Sequence, residues 1–419
     1  MKVLIFGLGL NQGGVGSAIF FAKQKDHVRV TDLKDKIALK PSLNQLKNYA
    51  IEYTLGQHRY EDIDWADLII KNPAVKPDNP YIQYALKKDK KVETDMGIFL
   101  QYVKPSQIIG VTGTKGKSTT ASLIYKALKN AAHPGGVKLA GNIGKSVLEA
   151  TPHIKPDSLV ILELSSFQLE AFDNKKISPH WAVITNIYPD HLNYYKNMDE
   201  YIEAKKPIVK YQTKDDFLFM RKNDPFISKG KKIYFSVDDL PKNFSPKIKG
   251  EHNLENLAAA LAIVKQLGIQ KKEALKIMKN FMGIPFRLEL IKTWRRVKIY
   301  NDSAATNPEA TIQALKTLPN CILICGGVNK NLPYQDLAKA IKKYAKKVFF
   351  LEGTATEKIR QIKDKTYSDL EKLLQDIKSI VKPGDTILFS PAAASFNLFQ
   401  NEFDRGRKFN AAVEKVFSD

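Results

Sequence analysis

The sequence predicts an α/β protein of three domains, because apolar strand-like runs alternate with helical segments along the 419 residues. Such alternation is typical of parallel sheets covered by helices, and the length exceeds what one core usually holds. The first domain, 1–92, ends in a Lys-rich segment; the second spans 93–284; the third, 285–419, starts near IPFRLEL. The strand-like runs are KVLIFGL, HVRVTD, LIIKNP, IIGVTG, LVILELS, AVITNI, CILICGG, KVFFLEG and TILFSP.

A glycine-rich turn opens the first domain. Gly7 and Gly9 follow the first strand, and Asp32 ends the second, which is how a Rossmann-like nucleotide-binding sheet places its glycines and its acid. The third glycine of that fingerprint is replaced by Gln12. The turn therefore predicts ligand binding, with a tight strand-to-helix turn that binds nothing as the alternative.

The second domain carries GVTGTKGKSTT between an apolar run and a segment with helical spacing. Strand, glycine-rich turn and helix in this order predict a phosphate-binding loop, although Val111 stands where the usual P-loop has its first glycine. Backbone N–H groups and the helix start would face the anion, while Lys117 supplies a charge and Ser118 a hydroxyl for Mg²⁺. The predicted ATP-binding residues of this loop are Gly113, Thr114, Lys115, Gly116, Lys117, Ser118 and Thr119.

Two further strands of the second domain end in candidate metal ligands. Glu163 lies in the apolar run LVILELS, and a buried carboxylate there needs a metal or a basic partner. His191 follows the run AVITNI, at the sheet edge where open α/β sheets bind ligands. An internal salt bridge for the glutamate and a structural role for the histidine are the alternatives.

The net charge of +22 raises the question of nucleic-acid binding. Lysines are scattered over the predicted helices, without an Arg-rich arm or an aromatic RNA-binding signature, so we expect no nucleic-acid partner.

Cys321 and Cys325 lie in one apolar run and predict core packing. No apolar run is long enough to span a membrane, and MKVLIFGLGL lacks a signal-peptide cleavage site, so we expect a cytoplasmic protein.

The motifs, taken together and in order, resemble the Mur ligase family. They are TGTKGKST, GNIGKSVLE, LELSSFQLE, NIYPDHL, YIEAKK, GEHNLENLAAALAI, FRLEL, NDSAATNPEAT, GGVNK and SPAAASF. Within this family, the motifs LELSSFQLE, SPAAASF and NEFDRG resemble those of the members that add D-glutamate. The resemblance implies a central P-loop ATPase-like domain, a Rossmann-like third domain, and ATP-dependent amide formation through an acyl phosphate of UDP-N-acetylmuramoyl-L-alanine.

The resemblance also implies residue roles. Catalytic residues would be Lys117, Asn142, Glu163, His191 and Lys205. Two Mg²⁺ ions would be held by Ser118, Glu163, His191 and Lys205, the last as a carbamate formed with CO₂. Further ATP contacts would be Asn253, Asn256, Arg287 and Asp302. The UDP end of the substrate would meet Leu10, Asn11, Asp32 and Asn72, and the incoming amino acid Thr306, Lys330, Ser395 and Phe396.

Other interpretations of these residues stay open. Taken singly, Lys205 and Lys206 are typical solvated helix lysines, Asn253 a helix cap, and Arg287 with Asp302 a surface salt bridge. Ala304 stands where other family members often carry a lysine that contacts D-glutamate. A sister ligase with another amino acid, or a folylpolyglutamate-type ligase, is therefore the alternative function, and a basic nucleic-acid-binding module a more distant one. We expect the chain to work as a monomer.

Overall fold

The computed structural model describes residues 1–10, 12–143, 146–189, 194–248, 250–329, 332–360, 364–395, 398–399 and 401–418. Three sheets follow one another along the chain, each flanked by helices, which confirms the α/β prediction. Short 3-10 helices at Pro105–Gln107, Thr151–His153 and Val237–Asp239 complete the regular structure of these ranges. None of the helices described is both long and apolar enough to cross a membrane.

The first sheet is parallel throughout and has the strand order β3-β2-β1-β4-β5, as expected of a Rossmann-like domain. Its strands are β1 (Lys2–Phe6), β2 (His27–Asp32), β3 (Ile51–Leu55), β4 (Leu68–Lys71) and β5 (Lys91–Glu93). The helices of this segment are α1 (Gln12–Lys23), α2 (Lys40–Leu46), α3 (Tyr60–Trp65), α4 (Pro80–Lys87) and α5 (Asp95–Phe99). The carboxyl ends of β1 and β4 place Gly7 and Asn72 side by side.

The second sheet is also parallel, with the order β11-β10-β9-β6-β8-β7. Its strands are β6 (Ile108–Thr112), β7 (Val137–Gly141), β8 (Leu159–Glu163), β9 (Trp181–Ile184), β10 (Phe217–Met220) and β11 (Lys231–Tyr234). Its helices are α6 (Lys117–Asn130), α7 (Val147–Ala150), α8 (Ser166–Lys175), α9 (Met198–Glu203), α10 (Pro207–Lys210), α11 (Glu251–Gln266) and α12 (Lys271–Lys279). The strand β6, which leads into the phosphate loop, lies between β8 and β9.

The third sheet has the order β12-β13-β17-β14-β15-β16. Its strands are β12 (Glu289–Trp294), β13 (Val297–Asn301), β14 (Cys321–Gly326), β15 (Ala345–Leu351), β16 (Thr366–Tyr367) and β17 (Thr386–Phe389). Its helices are α13 (Pro308–Thr317), α14 (Gln335–Tyr344), α15 (Thr356–Ile359), α16 (Leu370–Lys378) and α17 (Glu402–Val416). Cys321 and Cys325 are buried on β14, as predicted, and burial raises the pKa of the Cys321 thiol to about 12.

One feature of the third sheet departs from the expected parallel pairing: β12 and β13 form an antiparallel hairpin. The turn consists of Arg295 and Arg296, whose φ angles are +45° and +68°. Two-residue hairpin turns with left-handed residues are normally signalled by Asn-Gly or Gly-Gly. An Arg-Arg pair gives no such signal, so this hairpin could not be recognised from the sequence.

The chain divides into two compact units. One comprises Met1–Pro246 and Glu251–Asn280, and the other Lys247–Gly250 and Phe281–Asp419. The first two sheets share the first unit, because one hydrophobic core runs from Val3, Val30 and Phe99 on the first sheet's side to Ile108 and Leu162 in the second. The domain boundary that we predict after residue 92 would divide this unit, and it stays a prediction.

Close packing of α1 against α7 explains part of the glycine-rich sequence after β1. A methyl group added at Gly16 would overlap the side chain of Ser146, which caps the start of α7. We expect Gly16→Ala to lower the free energy of unfolding by about 1–3 kcal/mol, because the two helices cannot separate without losing core contacts. Thermal or urea denaturation would measure the change.

The control for this prediction is Gly13→Ala on the same helix. An added methyl there meets only Asp95 Oδ2, at 3.4 Å. Alanine restricts the unfolded chain more than glycine does, so we expect a change between zero and about 1 kcal/mol of stabilisation. Equal effects of the two substitutions would contradict the proposed helix contact.

Candidate active site

The predicted phosphate loop connects β6 to α6, so the free N–H groups at the start of a 14-residue helix face the loop. Gly116 caps this helix with φ +82°, a conformation that side chains disfavour. A methyl there would also overlap the side-chain amide of Asn256 from α11. The Lys117 ammonium donates to the carbonyls of Gly113 and Thr114 at 3.1 and 2.9 Å, so it lies over the loop.

Residues after β9 hold the phosphate loop in place, and sequence reasoning missed them. Thr114 N donates to Asn186 O at 2.8 Å, and Lys115 N donates to Asn186 Oδ1 at 2.8 Å. Thr185 Oγ1 donates to Lys115 O at 2.6 Å. The only signal was their place in TNI at the carboxyl end of a strand. These bonds fix a loop that contains two glycines and would otherwise lose entropy when it binds an anion.

Ser118 and Glu163 lie at the carboxyl edge of the second sheet. Both are buried, Ser118 in the first turn of α6 and Glu163 as the last residue of β8, next to Val111 of β6. A hydroxyl and a carboxylate are oxygen ligands of the kind that Mg²⁺ prefers. The donor set therefore fits the predicted first magnesium ion.

The structure separates the two neighbouring lysines of YIEAKK. The side chain of Lys206 is 42% exposed and forms a salt bridge with Glu203. Lys205 is only 1% exposed, and its Nζ lies 4.7 Å from the centre of the Tyr201 ring. The Tyr201 hydroxyl is in turn 3.2 Å from Thr114 Oγ1 in the phosphate loop. Lys205 is thus buried beside the loop, which the solvated-lysine alternative does not explain.

Three asparagines predicted for this site have different surroundings. Asn142 is exposed directly after β7, and its N–H donates to Glu163 O at 3.0 Å. Asn256 is buried in α11, with its Nδ2 donating to Asn253 Oδ1 at 3.2 Å and its Oδ1 3.4 Å from Thr120 Oγ1. Asn253 and Asn256 therefore pack α11 against the start of α6, beside the loop.

A cleft of about 560 Å³ opens beside Glu255 of α11. Its lining includes Ile187, which follows the loop-binding Asn186, and Glu255, which precedes Asn256. Arg221 in its wall forms a salt bridge with Asp224 at 2.8 Å and donates to the Tyr188 hydroxyl at 2.9 Å. The remaining lining residues are Lys222, Asn223, Pro225, Phe235, Ser236 and Val237. The cleft is partly apolar, and its volume lies in the range of small-molecule sites.

In the first sheet, the structure brings Asp32 and Asn72 to the glycine turn. Gly9 N donates to Asp32 Oδ2 at 2.8 Å, and Asn72 Nδ2 donates to Gly7 O at 3.3 Å. Leu10 is half-buried in the same turn. The two polar side chains therefore brace the turn, a role that the sequence did not suggest.

In the second unit, Asp302 follows β13 and is buried. Its Oδ1 accepts from Leu288 N at 3.0 Å, and its Oδ2 accepts from Ser390 Oγ at 2.7 Å. Arg287 is exposed between Phe286 and Leu288, whose φ angles are +65° and +44°. The Asp302 carboxylate therefore stabilises the strained backbone around Arg287. Because Asp302 is buried, a surface salt bridge between Arg287 and Asp302 does not describe this pair.

Burial raises the pKa of Asp302 to about 7, although its hydrogen bonds and the charges of Arg287 and Arg405 partly oppose this. Between pH 4 and 7 the folded chain therefore binds more protons here than the unfolded chain, so the contribution of Asp302 to stability falls as pH rises. We expect the stability of the wild type relative to Asp302→Asn to fall by up to about 4 kcal/mol over this range.

Denaturation midpoints of both proteins at several pH values would measure this difference. Asp336→Asn is the control, because the Asp336 side chain is 83% exposed. Its curve should run parallel to that of the wild type. A parallel curve for Asp302→Asn as well would contradict the raised pKa.

Of the loops predicted to bind the amino acid, those that carry Thr306 and Ser395 follow β13 and β17, which are adjacent and parallel. Ala392 N donates to Ala305 O at 3.0 Å, so the two loops contact each other. Thr306 is half-buried, and Ser395 is buried with a hydroxyl that has no hydrogen-bond partner in the ranges described. The predicted residues Asn11, His191, Lys330 and Phe396 lie outside the described residues.

Three family descriptions match successive parts of the chain: a Mur ligase MurD-like N-terminal domain at 1–94, a Mur ligase middle domain at 111–239, and a Mur ligase glutamate ligase domain at 286–393. UDP-N-acetylmuramoylalanine--D-glutamate ligases of Borreliella afzelii and Roseiflexus sp. are 40% and 36% identical, each over 99% of this chain and 98% of the relative. That of Acetivibrio thermocellus is 31% identical over 99% and 96%.

Solved structures show the same fold at lower identity. The UDP-N-acetylmuramate-alanine ligase MurC of Thermotoga maritima has a TM-score of 0.57 at 19% identity, over 99% of each chain. MurF ligase of Thermotoga maritima, solved with ADP, has a TM-score of 0.54 at 18% identity, over 98% of each chain. From the ordered domain matches and the full-length relatives, the chain belongs to the Mur ligase family.

Proposed function

We propose that this protein is an ATP-dependent ligase that joins D-glutamate to UDP-N-acetylmuramoyl-L-alanine in peptidoglycan precursor synthesis. The observation that carries the proposal is the joint placement of Lys117 and Ser118 on the phosphate loop and of Glu163 on the neighbouring strand. Relatives that cover 99% of the chain are named for this reaction. We propose that the enzyme works in the cytoplasm as a monomer. Its product would serve cell-wall growth and thereby cell division.

In the proposed reaction an oxygen of the substrate carboxylate attacks the γ-phosphorus of ATP, and ADP leaves. The product is an acyl phosphate, whose leaving group is phosphate instead of oxide. The amino group of D-glutamate then attacks the acyl carbon, loses a proton, and phosphate departs as the amide forms. The Lys117 ammonium and the N–H groups of the loop would draw charge from the β- and γ-phosphates.

Ser118 and Glu163 would hold one Mg²⁺, and His191 with a carbamate on Lys205 a second. Bound Mg²⁺ would offset the repulsion between the γ-phosphate and the substrate carboxylate. The near-complete burial of Lys205 supports its assignment, because an ordinary solvated helix lysine would be exposed, as the neighbouring Lys206 is. Asn142, exposed after β7, which β8 separates from the strand of the loop, would line the acyl-phosphate site.

The remaining ligand contacts are also proposals. The cleft lined by Glu255 would receive the adenine ring, with Asn253 and Asn256 as further ATP contacts. Arg287 and Asp302 are proposed as ATP contacts as well. Leu10, Asp32 and Asn72 would receive the UDP group at the glycine turn. Within the described residues, the buried Ser395 hydroxyl has no hydrogen-bond partner, which supports an amino-acid site formed with Thr306, since such a hydroxyl is costly until a ligand binds it.

A sister ligase with another amino acid stays the second candidate, because Ala304 removes a cation from the amino-acid site. The test is phosphate release with UDP-N-acetylmuramoyl-L-alanine, ATP and Mg²⁺ against D-glutamate, L-glutamate, L-alanine, L-lysine and diaminopimelate. We expect phosphate equal in amount to new amide with D-glutamate alone. Turnover with a different amino acid would favour the sister ligase, and no turnover with any of them would contradict both.

A further inference from the structure

Arg405 is a buried cation that the reaction scheme above does not use. It lies in the first turns of α17 and is 0% exposed. Burial lowers the pKa of its guanidinium to about 10, so it is still charged at neutral pH. A buried charge is expensive unless its hydrogen bonds are made, so the contacts of Arg405 indicate what it is for.

These contacts connect the two loops after β13 and β17. Arg405 Nε and Nη2 donate to Ser303 Oγ and Ser303 O at 3.0 and 2.8 Å. Arg405 Nη1 donates to Ala393 O at 3.0 Å. Ser303 Oγ donates in turn to Glu402 O at 2.7 Å, at the start of α17. One planar guanidinium therefore bonds both loops to the same helix.

The same loops carry the residues of the proposed amino-acid site. Ser303 precedes Ala304 and Thr306 in one loop, and Ala393 precedes Ser395 in the other. The Ser395 hydroxyl and the Thr306 side chain can receive a carboxylate only while the two loops keep their spacing. Lysine could not replace this geometry, because its single ammonium cannot reproduce the fixed fork of a guanidinium.

We propose that Arg405 is a positioning residue that sets the spacing of the amino-acid-binding loops and thereby the affinity for the incoming amino acid. The inference rests on the proposed function. Arg405 is too deeply buried to touch the substrate, and it acts through Ser303 and Ala393. It also keeps a positive charge close to a loop that has Ala304 in place of a lysine.

The test compares Arg405→Lys with Arg407→Lys, the matched change at an exposed arginine of the same helix. We expect Arg405→Lys to raise the KM for D-glutamate about tenfold or more, with the KM for ATP changed less than about twofold. Arg407→Lys should change neither constant. An unchanged KM for D-glutamate in an active Arg405→Lys enzyme, or equal rises for both substrates, would overturn the inference.

Two further measurements guard against loss of folding. Ser303→Ala should also raise the KM for D-glutamate, and its effect should not add to that of Arg405→Lys, because both substitutions break the same contact.

The second measurement uses Arg405→Ala. Methylguanidinium should lower the KM of this variant for D-glutamate and methylammonium should not; equal responses to both ions would overturn the inference. Absence of D-glutamate-dependent phosphate release in the wild type would instead count against the proposed function.

Discussion

Lys117→Ala is expected to reduce ADP formation by roughly 100- to 1,000-fold, because the substitution removes the charge that, in the proposed reaction, faces the γ-phosphate during transfer. The fold should persist. The Lys117 ammonium donates hydrogen bonds to two loop carbonyls, and the loss of these bonds should lower the free energy of unfolding by about 1 kcal/mol. Coupled ADP assays and thermal unfolding of the same preparation would measure both effects.

The control is Lys129→Ala, which removes an exposed lysine from the last turn of the same helix. It should leave the rate of ADP formation unchanged. Near-normal turnover of Lys117→Ala would show that residues 113–119 do not hold the phosphates. A variant that unfolds would be replaced by Lys117→Met, which keeps the length of the side chain.

Lys205→Ala should lower the rate of ligation by about 100-fold or more, because the second magnesium ion would lose a negatively charged ligand. Short carboxylates such as formate or acetate should restore part of the rate, since they can occupy the space of the missing carbamate. The measurement is the initial rate of phosphate release with increasing concentrations of each carboxylate.

Lys206→Ala is the matched control, because it removes the neighbouring exposed lysine and only a surface salt bridge with Glu203. We expect it to keep the wild-type rate and to show no response to carboxylates. If Lys205→Ala were as active as the wild type without additives, a carbamate at this position would be excluded.

The apolar runs predicted the strands that form the centre of each sheet, because buried parallel strands require continuous apolar sequence. The runs LVILELS and IIGVTG became β8 and β6, which together place Glu163 beside the phosphate loop. Strands at sheet edges, such as β11 with KKIY, were missed, because a half-exposed strand has no continuous apolar run.

Side-chain surroundings were harder to predict than strands. The family resemblance selected Lys205 over Lys206, but only the tertiary structure buries one and exposes the other. The support of the loop by Asn186 and the bracing of two loops by Arg405 join residues that are far apart in sequence. No local pattern distinguishes such an arginine from an exposed one on the same helix.

The short segment Lys247–Gly250 belongs to the second unit, while the chain on both sides of it belongs to the first. On the ribosome, the first unit therefore cannot be completed until the chain through Asn280 has emerged, since α11 packs on α6 from much earlier in the chain. For the same reason, dividing the chain at one position cannot give both compact units in complete form. A fragment that ends at 280 keeps four residues that belong to the other half, and one that starts at 281 lacks them.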